Sequence, residues 1–386
     1  MKHAELPPQP VAEETVRAAH RAVEQADYLD TEQSIQQACE KCAGNHALGL
    51  DTEFVRERTF YARPGLIQVS DGRQVWLIDV VAVPRPEALG ALLAAEDTVK
   101  ILHSVGEDLE ILHTVGGRWP KPLFDTQVAA AMLGLPLQQR YEHLVKAVLG
   151  VELDGGKARN DWCKRPLARD LLHYAAEDVI WLPRLKERLE ELLDRAGRLE
   201  WHREDCARIV ERARAGDNAP TLGRVKGAAR LETPDLARLQ ALADWREEIA
   251  RERDLPRRFV MADDKLTELA QASAGQLDNL IRKLPGGQRR RFGPAIEERL
   301  ANVDGTDFER PEWIEPLSPE DRDRVAVAQK AVRSIAEELA IEPAVIASKK
   351  ELTRLVRGER PDWLDGWRGR FLAGRLEDAS VSISAP

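Results

Sequence analysis

Apolar and polar positions along the chain divide it into three stretches. Residues 1 to about 27 keep no period and carry Pro7, Pro8 and Pro10, which predicts a loosely held extension with one short helix. Thr31 can cap a helix that runs through Ile35 and Ala38 and leads into the apolar run His46–Leu50, read as a strand. Three further strand-like runs follow, Gly65–Ser70, Gln74–Val80 and Val99–His103. Asp71-Gly72 between two of them is a hairpin signal, and Pro84 and Pro86 break the pattern before the third. Helical periods then alternate with short apolar runs to about Leu193, which predicts an α/β fold with a mixed sheet. Beyond Leu193 strand signals vanish. Gly216, Pro220, Gly223, Gly227 and Pro234 mark a linker, and an all-helical region follows. That region repeats faintly. Ile249-Ala250, Leu266 and Leu269 recur as Ile335-Ala336, Leu352 and Leu355, each 86 residues on, which predicts two tandem helical modules.

Composition narrows the classes. A chain of 386 residues that is 43% hydrophobic and 32% charged can build two or three ordinary cores, which sets aside disordered and fibrous readings. No stretch reaches the roughly 18–20 apolar residues of a membrane span, and the start of the chain has no apolar secretion signal. Four cysteines are too few for a disulfide framework in so long a chain, so the expected location is the cytoplasm. A net charge of −9 argues against a protein that coats nucleic acid, while leaving room for a local basic face.

Candidate chemistry centres on carboxylates. Asp51 and Glu53 are two apart on a strand and so share a face. Two acids that close raise each other's pKa unless a cation neutralises them, although an isolated Asp-x-Glu is usually a solvated strand end. Asp108 opens a helix just after the Val99–His103 strand, at the carboxyl edge of the sheet where ligands of α/β proteins collect. Tyr174 and Asp178 stand one helical turn apart, a spacing that a packed Tyr and a solvated Asp would also show. Together the four acids form the hard-oxygen donor set suited to a pair of Mg²⁺ or Mn²⁺ ions.

Leu50-Asp51-Thr-Glu53-Phe54, Gly65-Leu-Ile-Gln68, His103 to Asp108-Leu109, Asp125-Thr-Gln127 and Tyr174-Ala-Ala-Glu-Asp178 occur in this order. The set resembles the DEDD superfamily of 3′–5′ exonucleases, in the branch with tyrosine four residues before the last Asp. Asp51–Tyr61 and Asp161-Trp162 with Arg165-Pro166-Leu167 are similar, more narrowly, to the ribonuclease D family. Leu242, Trp245-Arg246, Ile249-Ala250, Leu255-Pro256 and Leu266 resemble the helicase-and-RNase-D C-terminal (HRDC) domain. Two departures stand out. The second copy has Ala331 and Val332 where the first has Trp245 and Arg246. Asp154 is followed by Gly155-Gly156, where the family usually has a lysine, and Lys157 comes later.

The resemblance implies an RNase H-like mixed-sheet exonuclease domain at 28–195, after an extension at 1–27. A helical linker (196–232), an HRDC domain (233–312) and a second, diverged HRDC-like domain (313–386) would complete the chain. It implies two divalent ions, Mg²⁺ or Mn²⁺, one held chiefly by Asp51, Glu53 and Asp178 and the other by Asp51, with Asp108 reaching it through water. Tyr174 would orient the attacking water, and 5′-mononucleotides would leave from the 3′ end. The implied partners are RNA, namely tRNA precursors and small structured RNAs with 3′ tails, with no membrane and no nucleotide cofactor. Arg56, Arg58 and the tract at Arg289, Arg290 and Arg291 are candidates for RNA phosphates. Phe54 is a candidate for stacking a base or for burial in the sheet, and Tyr61 for RNA contact or core. A DNA exonuclease and an inactive RNA-binding scaffold are the alternatives. Cys39-x-x-Cys42 falls on one helix face with no second pair, so metal or redox use is set aside. No phosphate-cradling glycine loop supports nucleotide hydrolysis.

Overall fold

The computed structural model describes residues 9–154, 156, 160–216, 219–303 and 308–377. Pro7, Pro8, Gly155 and Lys157 of the sequence reading lie outside them. In chain order the first part runs α1 (Glu13–Glu24), β1 (Asp27–Leu29), α2 (Glu32–Cys42), β2 (Ala47–Val55), β3 (Arg63–Ser70) and β4 (Val75–Asp79). It continues α3 (Glu87–Ala94), β5 (Val99–Leu102), α4 (Asp108–Gly116), β6 (Leu123–Asp125), α5 (Thr126–Met132) and α6 (Tyr141–Leu149). α7 (Arg169–Ile180), α8 (Leu182–Arg195) and α9 (Leu199–Ala215) complete it. The sheet order is β1-β4-β3-β2-β5-β6. β3 runs antiparallel to β2 and β4, and the other pairings are parallel, which makes the mixed α/β sheet that the sequence pattern predicts.

Local chemistry accounts for the central elements. Thr31 caps α2 through a reciprocal pair of bonds with Ser34. The Asp71-Gly72 turn closes as read: the Asp71 carboxylate accepts from the amides of Arg73 and Gln74, both at 2.8 Å, and Gly72 takes φ 84°. The two outermost strands, β1 and β6, have three residues each and are absent from the sequence reading. The start of the chain also differs from its expectation. Gln9 and Val11 donate to the carbonyls of Val148 and Leu149 at 3.0 and 3.1 Å, and α1 buries Ala19, Ala22 and Val23. The described part of this extension is docked rather than loose.

Contacts divide the chain into two units: Met1–Val55 with Arg63–Gly216 and Asp323–Pro386, and Arg56–Ala62 with Asp217–Arg322. The second unit holds α10 (Thr233–Glu252), α11 (Arg257–Val260), α12 (Asp263–Ala270), α13 (Ala274–Lys283) and α14 (Gly286–Ala301). Leu222, Val225, Ala228 and Leu231, in the Gly/Pro-rich stretch read as linker, are buried in its core, on two short 3₁₀ turns and the residues that end them. α9, also inside that expected linker, buries His202, Asp205 and Cys206 in the first unit. The segment 196–232 therefore contributes to both cores.

α15 (Pro319–Leu339), α16 (Pro343–Ile346), α17 (Lys349–Val356) and α18 (Trp367–Glu377) follow. The 86-residue repeat is visible in the backbone: α16 and α17 begin and end 86 residues after α11 and α12. Met261 and Ala347 share φ −158° and ψ 134°, and Asp254 and Ala340 share a left-handed φ of 49° and 51°. From Asp323 onward the second copy belongs to the first unit. Trp367 stacks on Trp201 with centroids 4.7 Å apart, and Arg368 binds the buried Asp205 through both nitrogens at 2.6 and 2.7 Å. Among the described residues no helix is long and apolar enough to cross a membrane.

Candidate active site

The site is built where α7 crosses the middle of the sheet. β2 pairs with β3 so that Asp51 faces Gln68 and Glu53 faces Leu66, with a register shift just after Glu53. Gly49 lets α7 and α8 settle close on this face. A methyl group there would lie 2.8 Å from the Val179 carbonyl oxygen and 2.9 Å from Leu182 Cβ. α7 buries Ala175, Ala176, Val179 and Ile180, and the same helix carries Tyr174 and Asp178.

Carboxylate oxygens of Asp51, Glu53 and Asp178 converge within 4.8 Å of one another. Asp108, the first residue of α4, accepts a 2.5 Å hydrogen bond from the Thr52 hydroxyl, which ties it to the strand between the two β2 acids. The Tyr174 hydroxyl is bonded to Asp178. Burial and mutual repulsion dominate the electrostatics. Burial, then the charges of Asp108, Asp178 and Glu53, drive the Asp51 carboxyl well above the carboxylate range. Burial, then Asp178 and Asp108, push Glu53 up to about 9. Burial raises Asp178 to about 7 and Asp108 to about 6, against the hydrogen bonds from Tyr174 and Thr52. Burial and the Asp178 charge raise Tyr174 far beyond neutral pH, so it stays a phenol. Four acids in this state either keep protons or share a cation, and oxygen donors alone suit a hard divalent ion. The residues present fit such ions.

Neighbouring groups hold this arrangement. Buried Asp125 caps α5 through the amides of Gln127 and Val128 and also accepts from the amides of Ser104 and Val105, fixing the turn into α4. His103 lies between the Thr126 hydroxyl and the Gln139 carbonyl, each at 2.9 Å. Arg165 grips Asp79 with two bonds of 2.7 and 2.6 Å and also donates to the Gly65 carbonyl at 2.6 Å. Burial alone would raise Asp79, but Arg165 and Tyr28 hold it down to about 2. This clamp seats fully buried Trp162, whose ring lies 6.3 Å from that of Tyr174. Gly65 permits the approach, since a methyl group there would meet the Trp162 carbonyl at 2.5 Å.

Phe54 follows Glu53 in β2, and the other candidates for RNA contact belong to the second unit. Phe54 is half-buried at the end of β2. Arg56 and Arg58 are exposed in the 56–62 segment of the second unit, where Arg56 donates to the Phe60 carbonyl at 3.1 Å. Phe60 is buried there beneath Arg251 and Arg257, and exposed Tyr61 donates its amide to Asp254. Arg289, Arg290 and Arg291 are exposed on the first turns of α14. Cys39 and Cys42 are buried free thiols, pushed up to about 11 and about 12 chiefly by burial. Sequence reasoning assigned no role to two polar groups here. Gln68 is fully buried, and the Tyr141 hydroxyl is raised far above its usual range by burial and by the charges of Asp178 and Asp51. Gln68 stood within a recognised motif, and no pattern singled out Tyr141.

A family model for 3′–5′ exonucleases matches residues 27–194, and one for the HRDC domain matches 235–299. A ribonuclease D of Shewanella sp. (strain ANA-3) is 35% identical over 366 residues, covering 92% of this chain and 94% of its own. The chain belongs to the ribonuclease D family. The ribonuclease D of Escherichia coli (strain K12) is 32% identical over 91% of this chain and 97% of its own. The crystal structure of E. coli RNase D, described as an exoribonuclease involved in structured RNA processing, superposes with a TM-score of 0.83. That match covers 92% of this chain and 98% of that one at 31% identity. The catalytic core of RRP6 from Trypanosoma brucei shares the fold, with a TM-score of 0.55 at 21% identity over 74% of this chain and 81% of its own. As a ribonuclease D this protein is an exoribonuclease, and its acid cluster sits within the matched exonuclease region.

Proposed function

We propose that the protein is a metal-dependent 3′–5′ exoribonuclease that removes 5′-mononucleotides, with tRNA precursors and other small structured RNAs bearing 3′ tails as substrates. The convergence of the Asp51, Glu53 and Asp178 oxygens within 4.8 Å carries this reading. These three would hold one divalent ion and Asp51 a second, with Asp108 reaching that one through water. Divalent ions held there supply the Lewis acidity that makes water a nucleophile at neutral pH and offsets charge on the leaving 3′-oxygen. Tyr174 keeps its proton, so it serves as no general base. Its O–H is committed to Asp178, and the lone pair left over can accept from an attacking water and hold it in line. Arg56, Arg58 and the Arg289–Arg291 face would meet backbone phosphates, and Phe54 would stack on a terminal base. The HRDC match and the relatives' printed activity support RNA over DNA.

The test is a time course on 5′-labelled single-stranded RNA and DNA of one sequence, with free or phosphorylated 3′ ends, in Mg²⁺ or Mn²⁺ and in EDTA. A tRNA with a 3′ trailer is run beside them. The expected result is metal-dependent shortening of RNA from a free 3′ end, release of 5′-mononucleotides, trimming of the trailer, and loss of activity in Asp178→Asn. Digestion in EDTA would remove the metal assignment. Preference for DNA would make the protein a DNA exonuclease, and binding without cleavage would make it a scaffold.

A further inference from the structure

Among the described residues of the sheet, Gln68 and Trp76 leave buried side-chain polar atoms unpaired, and Gln68 alone does so with both a donor and an acceptor. It is 0% exposed, and neither its amide nitrogen nor its amide oxygen has a hydrogen-bond partner among the described residues. Buried polar groups are normally paired, and an orphaned one destabilises the fold, so a retained orphan asks for an explanation. Register supplies it. Gln68 stands directly opposite Asp51 in the antiparallel β2–β3 ladder, and opposed residues there point to the same face with Cβ atoms about 4.5–5.5 Å apart. Gly49, two residues before Asp51 and on its face, is the point where Val179 and Leu182 press in. The Gln68 amide is thus buried in the layer between sheet and α7, beside Asp51 and on the side that carries Asp178.

We infer that Gln68 is a positioning residue whose amide N–H₂ holds the Asp51 carboxylate in its ligating orientation when the site is loaded. The inference rests on the reading of Asp51 as a metal ligand. A carboxylate offered to two cations keeps lone pairs free, and in a buried site those need donors. Ligating carboxylates are in general held by such outer hydrogen bonds, and removing one typically costs about 10–100-fold in metal affinity. The amide suits the place because it donates without adding a charge, whereas another acid would enlarge the repulsion among four carboxyls. Without that bond the Gln68 amide stays unpaired beside the acid cluster, at a cost to the fold.

That asymmetry gives a signature that a merely structural role would not produce. Gln68→Met keeps the length of the side chain and removes its hydrogen bonds. In EDTA the variant should melt no lower than the wild type. Its Mn²⁺ affinity by calorimetry should weaken about 10–100-fold, and its activity should recover as Mn²⁺ is raised. RNA affinity in EDTA should not move. A lower melting temperature in EDTA, or failure to fold, would mean that the amide is paired in the metal-free fold and would overturn the inference. Unchanged Mn²⁺ affinity beside tight wild-type binding would overturn the role of Gln68 alone. Absence of Mn²⁺ binding by the wild type would overturn the metal site with it.

Discussion

Glu53→Gln should abolish activity and yet stabilise the protein in the absence of metal. In the folded state Glu53 gives up its proton only at about 9, against an ordinary 4.5. Between those values the folded state binds more protons than the unfolded chain, so stability falls as pH rises through the window. At about pH 7.5 the folded carboxyl stays protonated while the unfolded one would ionise some three units lower, a cost of about 4 kcal/mol at 1.36 kcal/mol per unit. Asp178, raised to about 7, and Asp108, raised to about 6, add to the same slope. Glutamine is neutral in both states and removes the Glu53 share, of which we expect ~2 kcal/mol to remain once a new amide has been buried. For a unit of this size that is about 4 °C in Tm. The assay is thermal unfolding in EDTA across about pH 5 to 9. The wild type should lose stability steadily over the range. Glu53→Gln should start below the wild type at about pH 5 by the cost of its buried amide, cross it at about pH 6 and then melt progressively higher, and added Mg²⁺ should reverse the order. A variant that melts below the wild type in EDTA near pH 8, or a gap that fails to widen with pH, refutes the reasoning.

Three further outcomes follow from the geometry. Tyr174→Phe should lower kcat by roughly 10²–10³-fold with RNA affinity unchanged, as for loss of one positioning group. A change confined to KM in single-turnover kinetics would make Tyr174 a binding residue. Replacing Arg289, Arg290 and Arg291 by Ala should weaken RNA binding and flatten the plot of log K against log salt by about 0.7 per lost phosphate contact. Fluorescence anisotropy at several salt concentrations measures this, and an unchanged slope would remove the tract from the interface. Asp205→Ala leaves half-buried Arg208 and Arg368 without their shared carboxylate and should cost the first unit about 3 kcal/mol, read as a fall in Tm. An unaltered Tm would show that α18 is held by its aromatic stack alone.

Legibility from sequence followed the range of the forces involved. The β2–β3–β4 meander could be read because apolar runs and a turn with its own side-chain bonds are local. β1 and β6 could not, since three residues carry no period and their pairing depends on β4 and β5 already being in place. The stretch around Gly223 and Gly227 looks like a linker by composition, yet Leu222, Val225, Ala228 and Leu231 recur every three residues and are buried. A 3₁₀ spacing that short falls below what periodicity detects. For the site, strand period placed Asp51 with Glu53, and one helical turn placed Tyr174 with Asp178. Their meeting depends on the strand order and on Gly49, which no spacing reveals. The unpaired amide of Gln68 is legible only in three dimensions, because lacking a partner is a property of everything around a residue.

The nesting of one unit inside the other bears on how the protein is made. The Asp205–Arg368 contact joins positions 163 residues apart, and the Asp217–Arg322 part of the second unit is synthesised between them. On a ribosome, the surface of α9 that receives Trp367 and Arg368 emerges with nothing to cover it. It stays so until nearly all the described chain has been translated. The interposed helices, rich in short-range contacts, can fold meanwhile, since local contacts form fastest. Once folded they shorten the effective loop that the late partners must close. Vectorial synthesis thus leaves the nuclease unit to be finished after the interposed helices, with Trp201 and Asp205 awaiting a segment made later than all of them.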